Sequence, residues 1–132
     1  MEKTFVMLKP DALQRHLVGQ IISRIESKGY KITQYKSALL TEDLLREHYA
    51  HIVDKPFFPQ VLEYMTSGPV LLMKVEGENV VLGIRKLMGA TKFENAEPGT
   101  IRGDFALSTE ANVIHGSDSV ENAEIELKRF LD

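Results

Sequence analysis

Hydrophobic positions in this chain follow two periods. Residues 4–8 (TFVML) form a continuous apolar, β-prone run that Pro10 ends, which predicts a short buried strand. Asp11 can cap the helix that follows. Leu13, Leu17, Ile21 and Ile25 then recur every four residues, with Val18 and Ile22 beside them. That is one face of a single amphipathic helix, closed at Lys28 and Gly29. Residues 30–40 alternate loosely and read as a second strand. Thr41 can cap a helix over residues 42–51, and Lys55-Pro56 opens another near residues 58–65. Ser67-Gly68-Pro69 is a turn. Residues 70–75 read as a third strand, 76–79 as a turn, and 80–88 have a helical period. Residues 89–110 are rich in Gly, Pro, Thr and Asn and read mostly as a long loop, a feature usually tied to function in a compact domain. Residues 111–115 predict a last short strand. Asp118-x-x-Glu121 resembles a capping box for a final helix over about residues 119–131.

The order β-α-β-α-β-α-β-α predicts an α+β, ferredoxin-like plan for one domain spanning residues 1–132. Four antiparallel strands would form a sheet with helices packed on it, expected on one face. That plan hosts many activities and settles none of them.

Composition narrows the choice. The chain has 132 residues, 43% hydrophobic and 27% charged, as in ordinary globular domains. Its net charge of −3 argues against a general nucleic-acid or membrane-surface binder, while leaving room for a local basic pocket. Without cysteine there is no disulfide framework and no thiolate zinc site, which suits a reducing, cytoplasmic setting. No segment approaches the roughly 20 apolar residues of a membrane span, and the first apolar run is too short for a signal peptide.

The candidate chemistry centres on His115, where NVIHGSDS (112–119) turns from apolar to small and polar. A strand-end histidine is usually structural. Here Gly116 would let the backbone approach a ligand, and Ser117 and Asp118 precede a helix N-terminus, where free N–H groups favour anions. Neutral imidazole is a competent nucleophile toward phosphorus. Phosphoryl transfer also needs cations, and Lys9, Arg85 and Arg102 are candidates, each unremarkable alone. There is no P-loop motif and no protein-kinase motif set. His48 and His51 are three apart, but with no third ligand in reach by sequence they read as surface residues.

LKPDA (8–12), REHY (46–49), KPFF (55–58), SGPV (67–70), PGTIRGDFA (98–106) and NVIHGSDS (112–119) together resemble nucleoside diphosphate kinases, in order and over nearly the whole chain. The resemblance implies transfer of the γ-phosphate of a nucleoside triphosphate, typically ATP, to a nucleoside diphosphate, maintaining nucleotide pools. It implies a ping-pong route through a phosphohistidine at His115 Nδ1, with Mg²⁺ on the nucleotide phosphates. Glu126 would hold the other ring nitrogen and Ser117 would bond Glu126. Lys9, Arg85, Thr91 and Arg102 would clamp phosphates, with Tyr49 close by. Asn112 would contact the ribose, Phe57 would stack on the base, and Asp118 would lie near the metal, through water. The metal would have no protein-built cage. The partners implied are nucleoside di- and triphosphates and further copies of the chain, with a hexamer favoured over a tetramer.

Two other readings are weaker. One is a non-catalytic, nucleotide-binding member of that family. The other is an RNA-recognition domain, because residues 102–107 (RGDFAL) loosely echo its central motif, although Asp104 falls where an aromatic should stack.

Overall fold

The computed structural model describes residues 1–132. Four strands, β1 (Glu2–Leu8), β2 (Lys31–Ala38), β3 (Val70–Gly77) and β4 (Ile114–Gly116), form one antiparallel sheet in the order β2-β3-β1-β4. The helices are α1 (Pro10–Gln14), α2 (Val18–Ser27), α3 (Glu42–His48), α4 (Phe58–Met65), α5 (Val80–Met88), α6 (Ile101–Phe105) and α7 (Val120–Leu131). This is the expected α+β, ferredoxin-like arrangement, and α4 and α5 have the bounds their hydrophobic periods predict.

The helices cover both faces of the sheet, not one. Phe5, Val6, Met7 and Leu8 of β1 are all fully buried. Successive side chains of a strand point to opposite faces, so a continuous apolar run needs cover on both. Val6 and Leu8 pack with Met73, Val75, Ile21, Ile25, Ile84 and Met88. Phe5 and Met7 pack on the other side with Leu45, Met65, Leu72 and Phe130.

Other differences follow from backbone geometry. The helix expected from Asp11 to Lys28 is two helices, because His16 sits at φ 60° between them. The helix expected to reach residue 51 ends at His48, and a 3₁₀ turn, Ala50–Ile52, follows. The long loop contains α6, whose Thr100 side chain accepts from the Gly103 amide as a cap, and a 3₁₀ turn, Phe93–Asn95. The last strand starts at Ile114 because Val113 lies at φ 64°, outside the strand region. Ser119, not Asp118, caps α7, accepting from Asn122 N; Asp118 Oδ1 instead accepts from Asn122 Nδ2 at 2.6 Å.

These corrections remove the RNA-recognition reading. Residues 102–105 are helical, so the motif lies outside the sheet, and both sheet faces are occupied by helices. No helix is long and apolar enough to cross a membrane.

Candidate active site

Strand pairing decides which way His115 points. β4 pairs with β1 at Val6↔Gly116, Met7↔His115 and Leu8↔Ile114. His115 therefore shares a face with Phe5 and Met7, and its ring lies 5.9 Å from that of Phe5. Gly116 turns the other way, toward α5. A Cβ there would sit 2.6 Å from Met88 Sδ and 3.1 Å from Ile84 Cγ2. The glycine is thus required by core packing between β4 and α5, where the sequence suggested room for a ligand.

On the open side, His115 Nε2 is 2.9 Å from Glu126 Oε1. Ser117 Oγ donates to the same oxygen at 2.5 Å. Burial alone would raise the Glu126 pKa. The hydrogen bond and charge of His115, the bond from Ser117 and the nearby His48 outweigh it and hold the carboxyl below its ordinary value. An ionised Glu126 accepts only, so the proton of a neutral His115 resides on Nε2. Nδ1 keeps its lone pair and has no partner in the protein.

Three cationic side chains approach from separate elements. Lys9, which precedes α1, donates from Nζ to Asn112 Oδ1 at 2.8 Å. Burial, then the neighbouring Arg102, lower the Lys9 pKa to about 8 against the opposing pull of Asp11. Arg102 is 4% exposed. Its Nη2 donates to Ile114 O at 2.8 Å, and its Nη1 reaches Gly89 O at 3.2 Å and Thr91 Oγ1 at 3.3 Å. Its Nε is buried without a partner. Burial and Arg85 lower its pKa to about 10. Arg85 Nη1 donates to Gly116 O at 3.3 Å. Arg102 depressing Lys9 and Arg85 depressing Arg102 mark locally unbalanced positive charge, the electrostatic condition for binding an anion.

The backbone between Asn112 and His115 is strained. Val113 is β-branched and fully buried at φ 64°, which costs on the order of 1–3 kcal/mol. The Lys9 amide donates to Val113 O at 2.8 Å and Ile114 N to Asn112 O at 2.8 Å, so flanking bonds hold the turn. The turn sets Asn112 beside Lys9 and His115 at the sheet edge.

Reading the sequence missed a second imidazole. The His48 side chain is 5% exposed, not on the surface. Its ring meets that of His115 edge-on, with centroids 5.0 Å apart. Arg129 Nη1 lies 3.0 Å from His48 Nδ1. Burial first, then His115 and Arg129, bring the His48 pKa down to about 3 despite Glu126, so the ring is neutral and Nδ1 accepts from the guanidinium. The signal available was REHY, where His48 falls on the inner face of α3, but its partner Arg129 lies 81 positions away. The other residue of the pair, His51, is exposed as expected.

Two adjoining cavities meet at Tyr49. One, of about 660 Å³, is lined by His115, Arg85, His48, Glu126, Asp118 and Arg129 among others. The second, of about 580 Å³, is lined by Lys9, Asn112, Thr91, Phe57, Gln60 and Tyr64 among others. The Tyr49 pKa is raised to about 12 by burial and by Glu126, so it presents a neutral hydroxyl. Phe57 and Phe58 divide their work: Phe58 is 3% exposed in the core, while Phe57 is 51% exposed at the cavity wall. On the same wall, the Tyr64 hydroxyl donates to Asp11, a pair the sequence did not reveal. Every residue the sequence nominated thus lines these cavities or touches a residue that does.

Comparison with known proteins agrees in extent. A family model described as nucleoside diphosphate kinase matches residues 2–132. The nucleoside diphosphate kinase of Symbiobacterium thermophilum is 53% identical over 128 residues, covering 97% of this chain and 85% of that protein. That of Methanothermobacter thermautotrophicus is 53% identical over 132 residues, covering 100% and 88%. Among solved structures, the nucleoside diphosphate kinase of Encephalitozoon cuniculi superposes with a TM-score of 0.96 at 46% identity, covering 99% of this chain and 89% of that one. The halophilic enzyme of Halobacterium salinarum, solved in complex with CDP, gives 0.95 at 47% identity, covering 99% and 88%. With a match over its whole length, and a histidine, a carboxylate and three cations converging where two cavities meet, the chain belongs to the nucleoside diphosphate kinase family of phosphotransferases.

Proposed function

We propose that the chain moves the γ-phosphoryl group of a nucleoside triphosphate to a nucleoside diphosphate in two steps, through a phosphohistidine at His115. The observation that carries this reading is the 2.9 Å contact between His115 Nε2 and Glu126, which leaves Nδ1 as the free nitrogen. In the first step the Nδ1 lone pair forms a bond to the γ-phosphorus. The bond from phosphorus to the β,γ-bridging oxygen breaks, and the diphosphate leaves with its electron pair. The phosphorylated ring carries positive charge, which Glu126 neutralises through the Nε2 proton. In the second step a terminal oxygen of the acceptor diphosphate attacks phosphorus, and the N–P electrons return to Nδ1. No proton transfer is needed, so Glu126 orients and stabilises the ring without acting as a base.

The surrounding residues fit matching tasks. Lys9, Arg85, Arg102 and Thr91 bind phosphate oxygens, Tyr49 lies beside them, and Asn112 holds the ribose with Lys9. Phe57, exposed on the cavity wall, stacks on the base. Stacking is worth about 1–3 kcal/mol and accepts any base, because each has a π-face. The CDP bound by the halophilic relative is consistent with nucleotide in these cavities.

Mg²⁺ fits this site as an ion carried on the nucleotide. It prefers oxygen ligands, and phosphates with one or two carboxylates usually suffice. Asp118 lines the cavity beside His115 and is the carboxylate that would hold the ion, through water. The ion would neutralise charge on the phosphate oxygens. Self-association is supported by the unpaired outer edge of β2 next to exposed Tyr35 and Leu39, and the family resemblance favours a hexamer over a tetramer.

The direct test is to incubate the protein with Mg²⁺ and γ-labelled ATP, then map the label. Label on His115 that is stable to alkali, labile to acid and discharged by added GDP is expected. ATP binding without labelling would overturn the two-step route.

Lys9 adds a pH dependence. Its ammonium is lost as pH rises through about 8. We expect kcat/KM to fall across that range. The limb in kcat should lie at higher pH, because bound polyphosphate stabilises the cation. Lys9→Met should lose the limb; if the variant keeps it, another group titrates.

A further inference from the structure

We infer that His48, His115 and Glu126 form a site for a borderline-soft divalent ion, zinc in particular, and that zinc bound there switches the nucleophile off. One ligand atom from each of the three lies within 4.8 Å of the others. His115 Nε2 is 2.9 Å from Glu126 Oε1, and His48 Nδ1 is 4.0 Å from Glu126 Oε2. Tetrahedral zinc, with bonds of about 2.0–2.2 Å, wants neighbouring ligand atoms roughly 3.3–3.5 Å apart. Side-chain rotations moving these atoms by about 1 Å would meet that requirement, with the fourth position open to the 660 Å³ cavity. Two imidazoles and one carboxylate suit zinc far better than magnesium, which prefers oxygen.

The His48 lone pair is formed, since Nδ1 accepts from Arg129 Nη1 at 3.0 Å. Zinc must displace that guanidinium, and the displaced group has somewhere to go. Arg129 Nε already lies 3.4 Å from the exposed Glu47 carboxylate. That nitrogen has no hydrogen bond to lose. The remaining cost is repulsion from Arg85 and Arg129, which line the same cavity. The Glu126 carboxylate becomes a ligand and meets part of it.

The consequence follows from tautomerism. Zinc takes the Nε2 lone pair of His115, and the single proton of the neutral ring moves to Nδ1. The nitrogen that attacks phosphorus then carries a hydrogen and no free pair. This loss of activity rests on the phosphohistidine reading, whereas zinc binding itself does not.

The experiment titrates the nucleotide-free protein with Co²⁺ and with Zn²⁺, then measures phosphoenzyme formation in excess Mg²⁺ at buffered free zinc. One equivalent of tetrahedral Co²⁺ absorption per chain is expected, displaced by Zn²⁺. The ring ¹⁵N signals of His115 and His48 should shift together, a readout that needs no variant. His48→Gln should lose the cobalt bands and need at least about ten-fold more zinc for half inhibition of its own zinc-free rate. His51→Gln, altered at the exposed histidine outside the donor set, should respond as wild type. Absence of tetrahedral absorption, or unmoved ring signals, would overturn the site. Inhibition of equal sensitivity in His48→Gln would place zinc on the nucleotide instead. Metal binding at these ligands with no loss of labelling would leave the site standing and sink the switch.

Discussion

Replacing His115 with glutamine should leave a folded protein that binds nucleoside triphosphate and transfers no phosphoryl group. The side chain sits at the cavity wall on the middle residue of a three-residue strand, and backbone pairing with β1 fixes that strand whatever the side chain. A glutamine amide can donate to Glu126 in place of Nε2–H, so the carboxylate keeps a partner. What vanishes is the proposed nucleophile. Removing a covalent nucleophile costs on the order of 10⁴- to 10⁶-fold in rate, or about 5–8 kcal/mol of transition-state stabilisation. In the proposed reading phosphate binding is distributed over Lys9, Arg85, Arg102 and Thr91, so nucleotide affinity should change by less than about ten-fold, near 1.4 kcal/mol. A coupled turnover assay beside calorimetric titration of nucleotide separates the two quantities. Turnover within ten-fold of wild type would mean that phosphoryl passes directly between nucleotides or through another residue.

The second large effect is on stability and activity together. Arg102→Leu should lower the melting temperature by roughly 10 °C and remove most activity. The guanidinium ties the start of β4, through Ile114 O, to the loop carbonyl of Gly89 and the hydroxyl of Thr91. Leucine fills much of the volume but leaves those acceptors without a donor, at about 1–3 kcal/mol for each buried one. Loss of a desolvated cation beside Arg85 offsets part of that, leaving roughly 2–3 kcal/mol, which at this chain length corresponds to the shift given. Arg102→Lys keeps a charge but not the planar fork, so it should recover little of either property. Thermal melts with and without nucleotide are the measurement. The wild type should gain from ligand and Arg102→Leu should gain much less. A melting temperature within about 2 °C of wild type would show that those carbonyls find other donors.

Much of this protein is written locally. Apolar periods set α4 and α5 to the residue, and NVIHGSDS with PGTIRGDFA carried the resemblance to the family. Period and motif are short-range properties, and they survive without knowledge of the partner segments. They fail where a single dihedral matters. His16 and Val113 both adopt positive φ, and nothing in a histidine after an arginine or a valine between asparagine and isoleucine announces it. The β1 run did contain the sidedness of the sheet, since four consecutive buried residues demand two covered faces; an alternating pattern would not have.

The chain by itself thus determined the four strands, their order among the longer helices, and a candidate nucleophile with candidate cationic neighbours. Only the tertiary structure decided which groups surround that nucleophile. The sheet order β2-β3-β1-β4 brings His115 next to β1, and packing on Phe5 and Phe130 lays α3 and α7 over the same face. That places His48 edge-on against His115, with Arg129 on its Nδ1 and the Glu126 carboxylate within reach of both imidazoles. Such contacts depend on how helices pack across a sheet, and residues 81 positions apart have no local pattern that could predict them.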